Sequence, residues 1–168
     1  MNVNGFEIER KFLIAMPEER LLAAAERSDI VQTYLLGDEG TTERVRARTY
    51  ADHTEYTHTT KVRISAVRRV ELEEMIGPEA YEELLTRAAP GRRQIRKSRY
   101  CLPFEEKLIE IDVFPFWEDY ALLEVELEEE GEAFSLPPGI RVIREVTEDG
   151  RYTNSALSFE VPDPGADR

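Results

Sequence analysis

Glutamates stand two apart at Glu7 and Glu9 and again at Glu124 and Glu126, and Arg44, Arg46 and Arg48 form a row with the same spacing. In an extended strand, side chains two apart point the same way, so each set presents one charged row. Carboxylate oxygens in such a row suit Mg2+ or Mn2+, which take oxygen ligands. Arginines suit phosphate oxygens, which a guanidinium grips two at a time. Taking so many charges out of water is unfavourable unless they pair or a ligand joins them, and a metal-bound polyanion satisfies both kinds at once.

The elements that would carry these rows are strands. Phe6, Ile8 and Arg10 oppose Glu7, Glu9 and Lys11; Val45 and Ala47 oppose Arg44, Arg46 and Arg48; Val70 and Leu72 oppose Arg69, Glu71 and Glu73. Further on, Ile109, Ile111 and Val113 oppose Glu110 and Asp112, and Val125 and Leu127 oppose Glu124, Glu126 and Glu128. Period-two alternation of this kind predicts half-buried strands. Less regular candidates are Val31 to Leu36, Glu55 to Ile64, Gln94 to Leu102 and Ile140 to Val146, making eight or nine mostly antiparallel strands. Three helix signals interrupt them: Pro17 opening a stretch to Arg27, Gly77-Pro78 opening Glu79 to Ala88, and Asn154 as a cap before Ser155 to Phe159.

A chain of 168 residues suits one domain, expected over residues 1–160, with a loose tail at 161–168 that carries two prolines and a glycine. Apolar residues at 41%, with seven Phe and seven Tyr, exclude a disordered chain. The net charge of −13 repels nucleic acid and anionic membranes, so a polyanionic ligand needs a local basic site. One cysteine, Cys101, allows no internal disulfide and fits a reducing cytoplasm. No apolar run reaches the roughly 20 residues of a membrane helix, and the first residues lack a secretory pattern.

Two architectures fit the alternation. In the plainer one, every charged face looks at water, as in any half-buried antiparallel sheet. In the other, the sheet curls into a barrel with the charged faces inside and helices outside. Two features favour the barrel: uncharged polar residues are sparse in the cleanest strands, and the charges sort by strand, basic at Arg44 to Arg48 and acidic at Glu124 to Glu128.

The segment Glu7-Ile8-Glu9-Arg10-Lys11 resembles the Glu-Xaa-Glu-Xaa-Lys signature of the CYTH superfamily, the triphosphate tunnel metalloenzymes. In the same order follow Gln32-Thr33-Tyr34-Leu35, Glu43-Arg44-Val45-Arg46, Thr59-Thr60-Lys61, Arg69-Val70-Glu71-Leu72-Glu73, Lys97-Ser98-Arg99-Tyr100, Glu110-Ile111-Asp112, Glu124-Val125-Glu126 and Glu145-Val146-Thr147-Glu148-Asp149. The resemblance spans Phe6 to about Phe159 and is strongest to the bacterial tripolyphosphatase group.

That resemblance implies an α+β protein built on a closed eight-stranded antiparallel tunnel. The implied activity is hydrolysis of inorganic tripolyphosphate to pyrophosphate and phosphate with Mg2+ or Mn2+. The metal ligands it implies are Glu7, Glu9 and Glu126, with Glu124 beside them; Lys11, Arg44, Arg46, Lys61, Lys97 and Arg99 hold phosphates. Glu71, Glu73 and Asp112 support the basic residues or metal-bound water, and Tyr34 with Lys97 forms a catalytic dyad. Arg48, third in its row, has no place in the family pattern. Class IV adenylyl cyclases and thiamine triphosphatases share the tunnel, and a polyphosphate-binding module is the non-enzymatic alternative. The oligomeric state stays open, a homodimer included.

Other residues carry blander expectations. His53 and His58 lack a Cys companion and read as a turn residue and an exposed strand residue rather than a zinc site. Cys101 reads as buried filler and Trp117 as packing beside Phe114 and Phe116. No Gly-rich dinucleotide or phosphate loop is present.

Overall fold

The computed structural model describes residues 8–63 and 69–166, and nine strands, three short α-helices and one turn of 3-10 helix lie among them. In chain order these are β1 (Ile8–Ala15), α1 (Glu19–Ala23), β2 (Glu26–Leu35), β3 (Thr41–Thr49), β4 (Thr54–Arg63), β5 (Arg69–Ile76), α2 (Pro78–Leu85), β6 (Ile95–Phe104), β7 (Lys107–Val113), β8 (Tyr120–Leu127) and β9 (Val142–Glu145), then the 3-10 turn Gly150–Tyr152 and α3 (Asn154–Leu157). Two compact units emerge: the described parts of Met1–Arg27, Lys97–Thr153 and Pro162–Arg168 form the first, and those of Ser28–Arg96 and Asn154–Val161 the second.

In the first unit the strands run in the order β6-β7-β8-β1-β9, antiparallel throughout. Their alternation sorts one apolar face, where Phe12, Ile14, Ile109, Ile111, Leu123, Val125 and Leu127 are buried. Leu21 and Leu22 of α1, with Phe134, Leu136 and Ile140 from the segment before β9, pack on that face. Arg10 lies among these apolar residues without a buried charge: its guanidinium sits 5.3 Å from the Phe12 ring centroid and 5.1 Å from that of Phe134, and it pairs with Glu145. Beyond Val161, Pro164 is buried and the Pro162 carbonyl accepts the Trp117 Nε1–H at 3.1 Å, so the segment described to residue 166 has anchors that composition does not reveal.

The second unit orders its strands β5-β4-β3-β2, again antiparallel. Leu35 and Val45 form an apolar face that α2 covers with Tyr81, Leu84 and Leu85. Pro78 opens α2 with Gly77 before it, as the sequence predicts, because a proline at the first position lacks only an N–H that has no helical partner anyway.

Three expectations need correction. The strands number nine, within the eight or nine that alternation predicts but one more than the tunnel the resemblance implies, and among the described residues their hydrogen-bonded pairings do not close into a ring, which leaves β5 and β9 as edges. The additional strand is β9, only four residues long, which pairs with β1 across a bulge at Leu13/Ile14. The first helix shrinks from the expected stretch to five residues because β2 begins at Glu26 and claims the chain for pairing.

Candidate active site

The second face of the first unit carries the charges. Antiparallel register sets Glu9 opposite Glu126 and Lys11 opposite Glu124, and sets Glu124 also opposite Glu110 of β7. On β6 and β7, Arg99 stands opposite Asp112. Lys11 Nζ lies 3.1 Å from Glu124 Oε1 and donates to the Tyr152 carbonyl at 3.2 Å. Arg99 makes a fork to Asp112, Nε to Oδ1 at 2.8 Å and Nη2 to Oδ2 at 2.9 Å, while its Nη1 reaches Glu110 at 2.8 Å. Lys97 Nζ donates to Asp112 Oδ2 at 2.8 Å, with the Lys97 side chain 0% and that of Asp112 6% exposed.

Those exposures exclude a charged face that merely looks at water along this row. Burial by itself would raise the proton affinity of Asp112, but the Lys97 charge and the Arg99 hydrogen bonds and charge outweigh it, holding the carboxyl well below the usual carboxylate range. For Arg99 burial works against the charged form, yet bonding to Asp112 and the charges of Asp112, Glu110 and Glu124 keep it more firmly protonated than a free guanidinium. Asp112 and Arg99 are thus both held in their charged forms, in surroundings where charges interact strongly.

Lys11 owes its position to the segment after β9. Its backbone N–H donates to Thr147 Oγ1 at 3.0 Å, and its carbonyl accepts from the Val146 N–H at 2.8 Å. Asp149 caps the following turn by accepting the Arg151 N–H at 3.1 Å and holds Arg144 at 3.1 Å and Arg151 at 2.7 Å. Tyr152, fully buried, then offers its carbonyl to Lys11.

In the second unit the charged face runs across β2, β3, β4 and β5. Tyr34 stands opposite Arg44, which stands opposite Thr59, which stands opposite Glu73. Gln32 stands opposite Arg46. Gln32, Tyr34 and Thr59 are buried. Both ends of the Gln32 amide are bonded: Oε1 accepts from Arg46 Nε at 3.1 Å and Nη2 at 2.9 Å, and Nε2 donates to Tyr34 Oη at 2.8 Å. Arg44 Nε is buried, with no hydrogen-bond partner among the described residues. Nearer the β5 edge the face opens: Lys61 and Glu71, 3.9 Å apart, are 38% and 45% exposed, and Glu73 accepts from Thr59 Oγ1 at 3.0 Å.

Arg92, which the sequence reading passed over, lies against Tyr34. Its guanidinium is 4.0 Å from the Tyr34 ring centroid and 4.2 Å from that of Phe159, and it donates to the hydroxyls of Ser155 and Ser158 and to the Ser155 carbonyl. Burial lowers its proton affinity. Nothing in the pattern around Pro90-Gly91 signals this, because the contacts come from residues more than fifty positions away in sequence. Glu110 was legible as a strand residue but not as a partner of Arg99, since register is needed to oppose them. Arg48 acquires a role: its Nε donates to Ser28 Oγ at 2.9 Å and its guanidinium lies 4.9 Å from the Tyr50 centroid, so it ties β3 to β2.

Within the first unit the structure gathers Lys11, Lys97, Arg99, Asp112, Glu124 and, in register, Glu9 with Glu126; within the second, Tyr34, Arg44, Arg46, Lys61, Glu71 and Glu73. Glu7 lies outside the described residues. Among the described residues no three His, Cys, Asp or Glu side chains gather as a metal site. The donors that β1 and β8 do present in register, Glu9 and Glu126, are carboxylates, which suit a hard divalent cation.

The remaining candidates resolve quietly. His53 bonds Asp52 and Glu55 in the β3–β4 turn, which raises its proton affinity. His58 is not exposed, as expected from sequence, but largely buried, 2.7 Å from Glu43. Cys101 is half-buried rather than buried, opposite Glu110. Trp117 packs edge-on to Phe114 and Phe116 as expected.

Antiparallel strands that bury interlocked rows of carboxylates, ammonium and guanidinium groups define a domain for handling small, highly charged anions. No family model matches the chain. It is 37% identical over 162 residues to the inorganic triphosphatase of Nitrosomonas europaea, covering 93% of this chain and 99% of that protein. The crystal structure of an inorganic triphosphatase matches with a TM-score of 0.63 at 33% identity, over 94% of this chain and 97% of that one. A protein of Pyrococcus horikoshii OT3, 18% identical over 74% of this chain and 80% of its own, shares the fold at a TM-score of 0.51. The chain belongs to the CYTH superfamily of triphosphate tunnel metalloenzymes, in its bacterial tripolyphosphatase-like group.

Proposed function

We propose that this protein hydrolyses inorganic tripolyphosphate to pyrophosphate and phosphate, with a divalent cation, inside a tunnel lined by its charged faces. The observation that carries the reading is the largely buried charge array Lys97–Asp112–Arg99–Glu110, in a chain related along its length to an inorganic triphosphatase.

Glu7, Glu9 and Glu126, with Glu124 beside them, would hold Mg2+ or Mn2+, which would neutralise and orient the polyphosphate. Lys11, Arg44, Arg46, Lys61, Lys97 and Arg99 hold phosphate oxygens and meet the charge that develops on them as the anhydride P–O bond breaks. The unpartnered Arg44 Nε supports this role, since a buried donor left unbonded costs free energy that a phosphate oxygen would recover. Asp112 fixes Lys97 and Arg99, Glu71 and Glu73 do the same for Lys61 and Thr59, and Tyr34 with Lys97 would act on the attacking water, Tyr34 taking its proton as the phenolate. The single cysteine and the acidic charge support a reducing cytoplasm and no nucleic-acid partner. Among the described residues no helix is long and apolar enough to cross a membrane.

A phosphate-release panel over tripolyphosphate, ATP, thiamine triphosphate and pyrophosphate, with Mg2+ and with Mn2+, tests the proposal. Tripolyphosphate is expected to be turned over fastest and pyrophosphate poorly. Preference for ATP, or formation of cyclic AMP, would move the protein to another branch of the fold; binding without turnover would make it a polyphosphate-binding module.

A further inference from the structure

Gln32 carries no charge and no assigned role, yet it is fully buried beside Tyr34 with every polar atom of its amide oriented. The orientation is dictated rather than chosen. Arg46 offers two N–H donors to one side of the amide, so that side must be Oε1, and the NH2 group is left facing Tyr34. Tyr34 Oη is therefore an acceptor in this bond, and its own proton points elsewhere. The ring cannot swing away, because Arg92 lies over it, held in turn by Ser155 and Ser158.

An N–H donated to an oxygen strengthens as negative charge builds on that oxygen, and more so out of water. We propose that Gln32 is a positioning residue for the hydrolysis, a relay from Arg46 that holds the Tyr34 hydroxyl as acceptor and favours it when it carries charge. This rests on the reading of Tyr34 as the group that acts on water.

Two substitutions of similar volume separate the relay from mere support of Arg46. Gln32→Met removes both sets of bonds. Gln32→Glu keeps an acceptor for Arg46 but has no N–H for Tyr34, so the Tyr34 hydroxyl would have to donate instead. Steady-state kinetics on tripolyphosphate are measured for both, for Tyr34→Phe and for the Gln32→Glu, Tyr34→Phe double variant, with melting temperatures as a check on folding. Gln32→Glu is expected to lower kcat about 10- to 100-fold, by more than it changes KM, and Tyr34→Phe is expected to cost little more in that background. If Gln32→Met does not fold, Gln32→Glu still decides. Full kcat in Gln32→Glu with an impaired Tyr34→Phe enzyme overturns the inference alone. Losses in the two variants that multiply in the double overturn it as well. Full kcat in Tyr34→Phe overturns the assignment of Tyr34 and this inference with it.

Discussion

Asp112 is the residue on which the charged face of the first unit depends. It is the shared acceptor of Lys97 and Arg99, so removing its charge takes from both buried cations the carboxylate they have in common. Asp112→Asn is expected to destabilise the protein by about 3–5 kcal/mol, measured by chemical denaturation, because breaking a buried pair costs more than the pair contributes. Its folded-state proton affinity is depressed, so its contribution is complete above the unfolded carboxyl value of about 4 and is lost as pH falls below it toward the lower folded value. The stability of the wild type should therefore fall steeply below about pH 4, and that of Asp112→Asn less so. Arg46 tests the basic wall of the second unit. Arg46→Ala should weaken transition-state binding by about 2–4 kcal/mol, read as kcat/KM, and Arg46→Lys should restore only part, since a point charge cannot reproduce the fork. Unchanged kinetics in Arg46→Ala would remove that row from the site.

At the scale of elements, strand alternation does most of the sorting and short irregular segments do the aiming. The turn after β9 shows this: Thr147, Val146 and Tyr152 each bond Lys11, and Asp149 holds the turn together. Asp149→Ala removes the cap of the 3-10 turn and two arginine contacts, and should lower stability by about 1–2 kcal/mol while raising KM for tripolyphosphate through a looser Lys11. A normal KM would show that β1 alone positions Lys11. Helix α2 was legible from Gly77-Pro78. Strand β9 was legible only within the less regular stretch Ile140 to Val146, because four residues hold too little pattern to fix their own bounds.

For the whole molecule, a net charge of −13 opposes any polyanion, so the proposed turnover would rely on the local basic rows and a cation. Chelation of divalent ions should abolish phosphate release, and Mg2+ should restore it. Glu9→Gln and Glu126→Gln should raise the Mg2+ concentration for half-maximal activity as well as reduce rate, whereas Lys97→Ala should lower kcat with nearly unchanged metal demand. A Glu9→Gln enzyme with normal metal dependence would remove Glu9 from the metal site.

Sequence by itself determined which residues share a face, because side-chain direction along a strand follows from covalent geometry, and so the carboxylate pairs and the arginine row could be read from spacing two. It determined the acidic balance and, through the order of its motifs, the family. Tertiary structure alone decided which rows oppose one another. Register between strands is set by packing over long sequence separations, so Glu9 facing Glu126, Arg99 reaching Glu110 and Gln32 joining Arg46 to Tyr34 had no local signature. The same holds for Arg92, whose place against Tyr34 and Phe159 is fixed by chain folding rather than by its neighbours in sequence. Burial was likewise beyond the pattern: alternation gives the same reading for a charge in water and for Asp112, and only the packed neighbours distinguish them.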